Sequence, residues 1–260
     1  MRSLFLLLVA TLMSISAAPL TAADATILVY TRNHTPNGKG YVHDNIAESV
    51  AAIRKLGEEN GFAVEHSDDP TLFAPGKLSR FQAIVFANSN NEAFATDAQR
   101  NAFQAYIRKG GGFVGIHSAT GSERNWPWYW AMLGGSFDYH PVMQSFEVRV
   151  TGPRHPATTM LPAQFVVEDE CYFHKNMNPG IIALLVADQT RLRDEKRGER
   201  PGNEFGSALP IAWYHHFEGA RVFYVGLGHK KDHYRDPRLL QMILGGIEWA
   251  MGNATEEISQ

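Results

Sequence analysis

The first half of the chain alternates short apolar runs with longer segments of helical periodicity. Four runs rich in β-branched and aromatic residues predict buried strands at 26–30, 62–66, 81–89 and 112–117. Between them, residues 44–60 carry apolar side chains every three or four positions, which predicts a helix that ends at Gly61. A second helix is predicted to begin at Thr96, which forms a capping box with Gln99. This order of elements predicts an α/β fold, in which helices cover both faces of a mainly parallel sheet.

The second half is less regular. Further strands are predicted at 146–150, 165–167, 181–186, 211–214 and 220–225. A final helix is predicted to begin at Asp236 and Pro237, with Asp as the cap and Pro in the first helical position. The charged, glycine-rich segment 188–207 is expected to be a surface loop, and the alternative is a mobile flap over a site. Because the pattern shows neither a repeat nor a linker, we expect residues 24–260 to form a single domain.

The first 23 residues have the pattern of a secretory signal peptide. Arg2 precedes an apolar run from Leu4 to Ile15, and small residues follow it, so that cleavage after Ala23 or Ala25 fits the pattern. The apolar run is short for a membrane span, although an uncleaved anchor is the alternative. We therefore expect a periplasmic or secreted protein with no membrane span once the signal peptide is removed.

Composition adds mainly exclusions. The chain has 24 basic and 27 acidic residues, and its net charge of −3 gives no electrostatic reason to expect nucleic acid or an anionic membrane as a partner. With Cys171 as its only cysteine, the chain cannot form an intrachain disulfide. We expect no nucleotide cofactor, and the sequence leaves the oligomeric state open.

Polar residues directly follow several predicted strands. His34 follows the first strand, with His43 a few residues later; Asn88 ends the third, His117 ends the fourth, and His229 follows the last. Because ligands bind outside the carboxyl ends of parallel strands, His34, His117 and His229 are expected to converge at one edge of the sheet, with Asn88 as a candidate hydrogen-bonding group beside them.

The irregular middle of the chain adds His140 in "GGSFDYHP" and Glu170 in "EDECYFH". Two chemistries remain open. His34, His117, His140 and His229 are candidate ligands of a divalent transition metal such as zinc. Without a metal, His117 and His229 are candidates for general acid and base catalysis, and Glu170 is a catalytic candidate either as a carboxylate ligand of the metal or as a proton shuttle. The sequence contains no compact metal-binding motif, so that either site would have to be assembled from distant segments.

The stretch "GGGFVGIHSA" at 110–119 places a histidine where many α/β enzymes carry a nucleophile. The pattern G-x-S/C-x-G would put Ser or Cys at the position of His117, and Ser118 is one residue away from it. Cys171 is far from any such turn. Serine and cysteine hydrolases are therefore disfavoured.

Aromatic residues around this stretch suggest a sugar site. Trp128, Tyr139 and Tyr172 are candidate substrate-binding residues, together with Asn88 and His140, because aromatic faces stack on sugar rings. The alternative is that the aromatic side chains only pack these loops against the sheet.

Seven short motifs together resemble the trehalose-utilisation, or ThuA-like, family. In chain order they are "GGGFVGIHSA", "LGGSFDYHP", "HPAT", "DECY", "PIAW", "GARVFYVGLGH" and "GGIEWAMG". "DECY" departs from the family pattern at Cys171, where we expect a large aromatic residue. The resemblance implies a flavodoxin-like, three-layer sandwich similar to class I glutamine amidotransferases. Those relatives carry a catalytic cysteine at the place of His117, so the resemblance does not imply amidotransferase activity.

The family resemblance also implies carbohydrate metabolism and is consistent with a divalent metal. The hypothesis is an exported lyase, hydrolase or isomerase that acts on a sugar or keto-glycoside at a histidine-rich site. The alternative is a non-catalytic protein that binds carbohydrate or metal in the same cleft.

Overall fold

The computed structural model describes residues 25–197 and 206–256. The predicted signal peptide and residues 198–205 of the charged loop lie outside the described residues. In chain order the elements are β1 (Thr26–Tyr30), α1 (Ile46–Asn60), β2 (Ala63–Ser67), β3 (Ala83–Ala87), α2 (Asp97–Arg108), β4 (Gly112–Ile116), α3 (Pro127–Leu133), β5 (Ser136–Tyr139), β6 (Gln144–Val150), β7 (Gln164–Asp169), β8 (Phe173–Lys175), β9 (Ile182–Asp188), β10 (Ala208–Phe217), β11 (Ala220–Val225) and α4 (Pro237–Met251).

Local signals set the ends of these helices. Thr96 and Gln99 form the predicted capping box at the start of α2. The side chain of Asp236 accepts a hydrogen bond from the backbone N–H of Arg238 at the start of α4. Gly61 ends α1 with a φ of 78°, in the left-handed region that glycine adopts at little cost.

Helix α3 was not predicted. It contains only seven residues, which is too short to show a helical period, and it lies in the aromatic segment after residue 119. Pro127 occupies its first turn, where the missing N–H is not needed, and Gly134 ends it with a φ of 103°.

One large sheet has the strand order β2-β1-β3-β4-β11-β10-β9-β6-β7. Its first five strands are parallel, in the 2-1-3-4-5 order of flavodoxin-like proteins, with β11 as the fifth strand. The remaining pairings are antiparallel, so β10 and β6 run against the other seven strands. The prediction of a mainly parallel, flavodoxin-like α/β sheet is therefore confirmed.

The antiparallel half of the sheet turns back toward α4. Register shifts between Pro210 and Trp213 mark a bulge in β10, and bulges bend the strand that contains them. At the far end of the sheet, Arg238 of α4 donates a hydrogen bond to the carbonyl oxygen of Val166 in β7. The end of β7 is thereby brought close to the ends of the parallel strands.

Two apolar cores flank the sheet. One joins α1 and α4 to one face, and the other joins α2 and α3 to the opposite face. The three layers leave the carboxyl edge of the parallel strands open for irregular loops. No helix within residues 25–197 or 206–256 is long and apolar enough to cross a membrane.

Candidate metal centre

The turn after β4 holds His117 in a left-handed conformation, with a φ of 49°. Such a conformation is uncommon for a residue other than glycine, asparagine or aspartate, and it is held here by tertiary contacts. The hydroxyl of Tyr224 donates a hydrogen bond to the carbonyl oxygen of His117 at 2.7 Å. The sharp turn and this bond direct the fully buried imidazole toward the carboxyl edge of the sheet.

The hydrogen bonds of the His117 ring fix its tautomer. Nδ1 lies 2.8 Å from the carbonyl oxygen of Gly226, and a carbonyl oxygen only accepts, so Nδ1 carries the proton. In the neutral ring, Nε2 therefore carries the lone pair. It faces the hydroxyl of Tyr172 at 2.9 Å and Oε2 of Glu170 at 3.6 Å.

Four side chains converge beside this nitrogen. His43, His117, Glu170 and His229 each offer one ligand atom, and these atoms all lie within 4.8 Å of one another. They come from the segment after β1, the turn after β4, the end of β7 and the loop after β11. We call these four residues the ligand group.

His43 is held in the group by long-range contacts of its neighbour Asn45. The side-chain amide of Asn45 donates to the carbonyl oxygens of Gly228 at 2.7 Å and His229 at 2.6 Å. Burial, reinforced by the nearby rings of His117 and His229, lowers the pKa of His43 to about 3. Its imidazole is therefore neutral at physiological pH, the form in which histidine binds metals.

Glu170 connects the ligand group to the mouth of the site. Oε2 lies 3.0 Å from Nδ1 of His229, and Oε1 lies 3.5 Å from Nε2 of His140. Burial alone would raise the pKa of Glu170, but the imidazoles of His117, His229 and His140 outweigh it and hold that pKa well below its usual range. The same carboxylate raises the pKa of His229. Glu170 is therefore an anion inside a ring of imidazoles.

Asp169, the residue before Glu170, fixes the backbone on both sides of the group. Its Oδ1 accepts the N–H of Glu170 at 2.7 Å, and its Oδ2 accepts the N–H of Gly228 at 2.8 Å. Oδ2 also lies 3.1 Å from Nδ1 of His233. Burial would raise the pKa of Asp169, but His233 and His117 together with the Gly228 N–H lower it, so the carboxylate is charged. One buried carboxylate thus positions the segments that carry Glu170 and His229.

The donor set fits a divalent transition metal on three observations. The buried Nδ1 atoms of His43 and His229 have no hydrogen-bond partner among the described residues. The Nδ1 of His229 is at ion-pair distance from Glu170, but its N–H is not aimed at the carboxylate. Nε2 of His117 lies 2.9 Å from the hydroxyl of Tyr172 and 3.6 Å from Oε2 of Glu170, so that an imidazole nitrogen and a carboxylate oxygen border the same space.

The spacing and the orientation of the rings also suit such an ion. Ligand atoms around a tetrahedral zinc ion, with bonds of about 2.0–2.1 Å, lie about 3.4 Å apart. The ligand atoms here, within 4.8 Å of one another, need only small side-chain adjustments to reach that spacing. Ligating histidines usually donate their second ring N–H to a carbonyl or carboxylate, as His117 does to Gly226.

The structure brings together most, but not all, of the residues proposed from sequence. His117, His229 and Glu170 belong to the ligand group, and His140 and Tyr172 lie against it. Asn88 lies behind it, where it donates to Tyr234 and accepts from Asn45.

The structure places His43 where the sequence proposed His34 as a metal ligand. The backbones of His34 and Glu92 form an isolated antiparallel β-bridge. The imidazole of His34 is largely exposed and lies 4.0 Å from the Glu92 carboxylate. His43 also follows β1, but an irregular segment separates it from the strand. The order of the two histidines along the chain therefore gave no signal for choosing between them.

Two aromatic residues proposed to bind substrate pack instead. Trp128 packs with Phe103 and Phe217 in the core formed with α2 and α3. The ring of Tyr139 stacks on Phe173, and its hydroxyl donates a hydrogen bond to Asp194. This bond holds the charged loop against the domain. Cys171 is fully buried in the other core and is not displayed as a nucleophile.

Fold and site together define a flavodoxin-like α/β protein with a group of three histidines and one glutamate at the carboxyl edge of its sheet. Residues 26–250 match the family model ThuA, trehalose utilisation, and the chain belongs to this family. No curated protein matches the chain.

Solved structures share the fold of this chain. A ThuA-like protein from Bacteroides uniformis is 26% identical, with a TM-score of 0.70 over 91% of this chain and 95% of its own. A second, from Parabacteroides merdae, is 17% identical, with a TM-score of 0.65 over 90% of this chain and 92% of its own. A β-galactosidase from Bacillus circulans is 12% identical, with a TM-score of 0.54 over 88% of this chain and 31% of its own, and it shares the fold alone.

Proposed function

We propose that this protein is a metal-dependent enzyme that acts on sugars or keto-glycosides in carbohydrate metabolism. The observation that carries the proposal is the convergence of His43, His117, Glu170 and His229 at the open carboxyl edge of the sheet. Membership in the trehalose-utilisation family supports the substrate class. A zinc-like divalent ion held by these residues supplies Lewis acidity toward a carbonyl or hydroxyl oxygen of the substrate.

His140 is the side chain that we assign to proton transfer. It lies at the mouth, and a third of its side chain is accessible (35% exposed), whereas His117 and His229 belong to the ligand group. Nδ1 of His140 lies 2.8 Å from the carbonyl oxygen of Pro141 and therefore carries a proton, which leaves Nε2 to accept one. Oε1 of Glu170 lies 3.5 Å from that nitrogen.

A keto-glycoside suits these groups because the proton on the carbon next to its carbonyl is acidic. Nε2 of His140 removes that proton, and the electron pair moves onto the carbonyl oxygen to give an enolate. The hydroxyl of Tyr172 is a neutral hydrogen-bond donor at the site, since burial raises its pKa well above the ordinary value. Expulsion of the glycosidic oxygen from this enolate, with the proton from His140 going to the leaving group, is an elimination. Addition of water to the resulting enone completes a net hydrolysis, and return of the proton to the carbon from the opposite face gives an isomer.

The direct test is to incubate the purified protein with a 3-keto-disaccharide and to follow its loss before and after treatment with a chelator. We expect turnover that the chelator abolishes and added zinc, manganese or another divalent ion restores. Binding of the disaccharide without turnover in every metal condition would overturn the proposed enzyme activity and support a carbohydrate-binding protein instead. His140→Gln should retain metal and lose turnover by at least about a hundredfold. Full activity in this variant would remove His140 from the mechanism.

We also infer that the protein acts outside the cytoplasm, from the signal-peptide pattern of its first 23 residues. Expression of the full chain followed by cell fractionation and N-terminal sequencing tests this inference. A periplasmic or secreted product that begins at residue 24 or 26 supports export. A product in the cytoplasm with residues 1–23 intact contradicts it.

A further inference from the structure

The mouth of the site contains a cation that no carboxylate neutralises. Within the described part of the chain, the guanidinium of Arg124 bonds only to neutral oxygens, the Gly121 carbonyl at 3.1 Å and Oδ1 of Asn90 at 3.4 Å. It also lies over the ring of Phe137, 5.4 Å from the centroid. Partial burial lowers the pKa of Arg124, whose guanidinium nevertheless remains charged at any physiological pH.

The acidic residues that neighbour Arg124 in sequence or on β5 have other partners. Glu123 is bound to Arg100 at 2.7 Å and accepts the backbone N–H groups of Ala93 and Phe94. Asp138 is paired with Lys175 at 3.3 Å. The contacts of Glu123 hold it in a left-handed conformation, with a φ of 48°. They thereby fix the backbone that carries Arg124. The hydrogen bond to Gly121 ties the guanidinium to this backbone, and its charge has no acidic partner in the described structure.

Arg124 belongs to the same wall as the ligand group. Phe137, which lies under the guanidinium, packs against Tyr172 with ring centroids 4.5 Å apart, and Tyr172 contacts Nε2 of His117 at 2.9 Å. On the other side, Asn90 links Arg124 to the backbone of Tyr41. Tyr41 is 58% exposed and contacts the ring of His43 at a centroid distance of 4.7 Å.

We propose that Arg124 and Tyr41 form a subsite for a sugar ring that carries an anionic substituent, with the ring on Tyr41 and the substituent on Arg124. The proposal rests on the proposed function and deepens it by naming the substrate class as acidic glycosides or keto-glycosides. A guanidinium presents two parallel N–H donors that match a carboxylate, and an exposed tyrosine presents a flat face to a sugar. A cation that remains unpaired in the protein gains a partner when such a substrate binds.

Calorimetric titration with methyl β-D-glucoside and methyl β-D-glucosiduronate tests the subsite, since the two probes differ only at C6, which is a neutral hydroxymethyl group in one and a carboxylate in the other. Both are titrated into zinc-loaded and metal-free protein. We expect the acid to bind at least about tenfold more tightly than the neutral sugar. Arg124→Gln should abolish this preference, while Arg54→Gln, which removes an exposed arginine of α1, should preserve it.

A third probe, the 6-sulfate of the same glucoside, separates the two sources of charge. Tight binding of both anions supports a subsite that recognises charge, and tight binding of the acid alone supports one that recognises the planar carboxylate. Equal binding of acid and neutral sugar, an unchanged preference in Arg124→Gln, or no binding of any probe would overturn the proposal. A preference for the acid in a protein without metal-dependent turnover would overturn the proposed enzyme function alone. Metal-dependent turnover without that preference would overturn the subsite alone.

Discussion

The hydroxyl of Tyr224 donates a hydrogen bond across 2.7 Å to the carbonyl oxygen of His117, the residue in the left-handed turn after β4. Tyr224 lies on the neighbouring strand β11 and is fully buried. The same hydroxyl also lies 3.3 Å from both Thr120 and His174, so that the turn is backed by a buried polar network. This network maintains the backbone geometry that directs the His117 imidazole toward the ligand group.

We predict that Tyr224→Phe lowers the free energy of unfolding by about 1–3 kcal/mol, because it leaves the buried carbonyl of His117 without its donor. Urea denaturation of the metal-free protein measures the change. Tyr41→Phe serves as the control, since its hydroxyl is on an exposed residue, and it should change stability by less than about 0.5 kcal/mol. Equal stabilities of the two variants would show that the bond does not support the turn.

We predict that His43→Gln and His229→Gln each weaken zinc binding by at least about a hundredfold, because each removes one of four ligands. His34→Gln is the matched control and should bind zinc as the wild type does, since its imidazole lies against Glu92. Elemental analysis and competition with a chromophoric chelator give stoichiometry and affinity. Loss of zinc in His34→Gln but not in His43→Gln would contradict the assigned ligand group.

Asp169→Asn should weaken zinc binding about ten- to hundredfold while leaving one site per chain at saturating metal. The substitution keeps the side-chain shape but replaces one of the oxygens that accept from Glu170 and Gly228 with an amide donor. Asp232→Asn, at an exposed position on the following 3₁₀ turn, is the control. An unchanged affinity in Asp169→Asn would show that the two ligand segments hold their positions without this carboxylate.

His155 makes the stability of the fold depend on pH. Its imidazole is fully buried against Tyr214 and Trp249, and burial lowers the pKa of His155 to about 4 from an ordinary 6.5. Between these pH values the unfolded chain binds a proton that the folded protein does not. The free energy of unfolding is therefore unaffected by this group above pH 6.5 and decreases progressively as the pH falls toward 4. The total decrease is about 3 kcal/mol.

We predict that His155→Asn removes this part of the acid sensitivity. Asparagine retains an acceptor for the backbone N–H of Ala157, which Nδ1 of His155 accepts at 3.1 Å. Urea denaturation at pH 7 and pH 4.5 should show a loss of stability that is about 2 kcal/mol larger in the wild type than in the variant. Other buried histidines titrate in both proteins, so they cancel in the difference. Equal losses would show that His155 does not carry the effect.

The sequence by itself determined the parallel half of the fold and proposed three of the four members of the ligand group, His117, His229 and Glu170. Strands and helices there follow from local patterns, and local patterns are readable along the chain. His117 and His229 could be assigned to one edge because parallel strands place their carboxyl ends together. The short helix α3 escaped prediction because seven residues do not display a period.

Only the tertiary structure decided how the rest of the site is assembled. His43 rather than His34 joins the ligand group because Asn45 binds the carbonyl oxygens of Gly228 and His229, 183 and 184 positions away along the chain. Glu170 joins it because the bent sheet brings the end of β7 to the loop after β11. These contacts link segments that are far apart in sequence, and no local pattern of hydrophobic and polar residues encodes them.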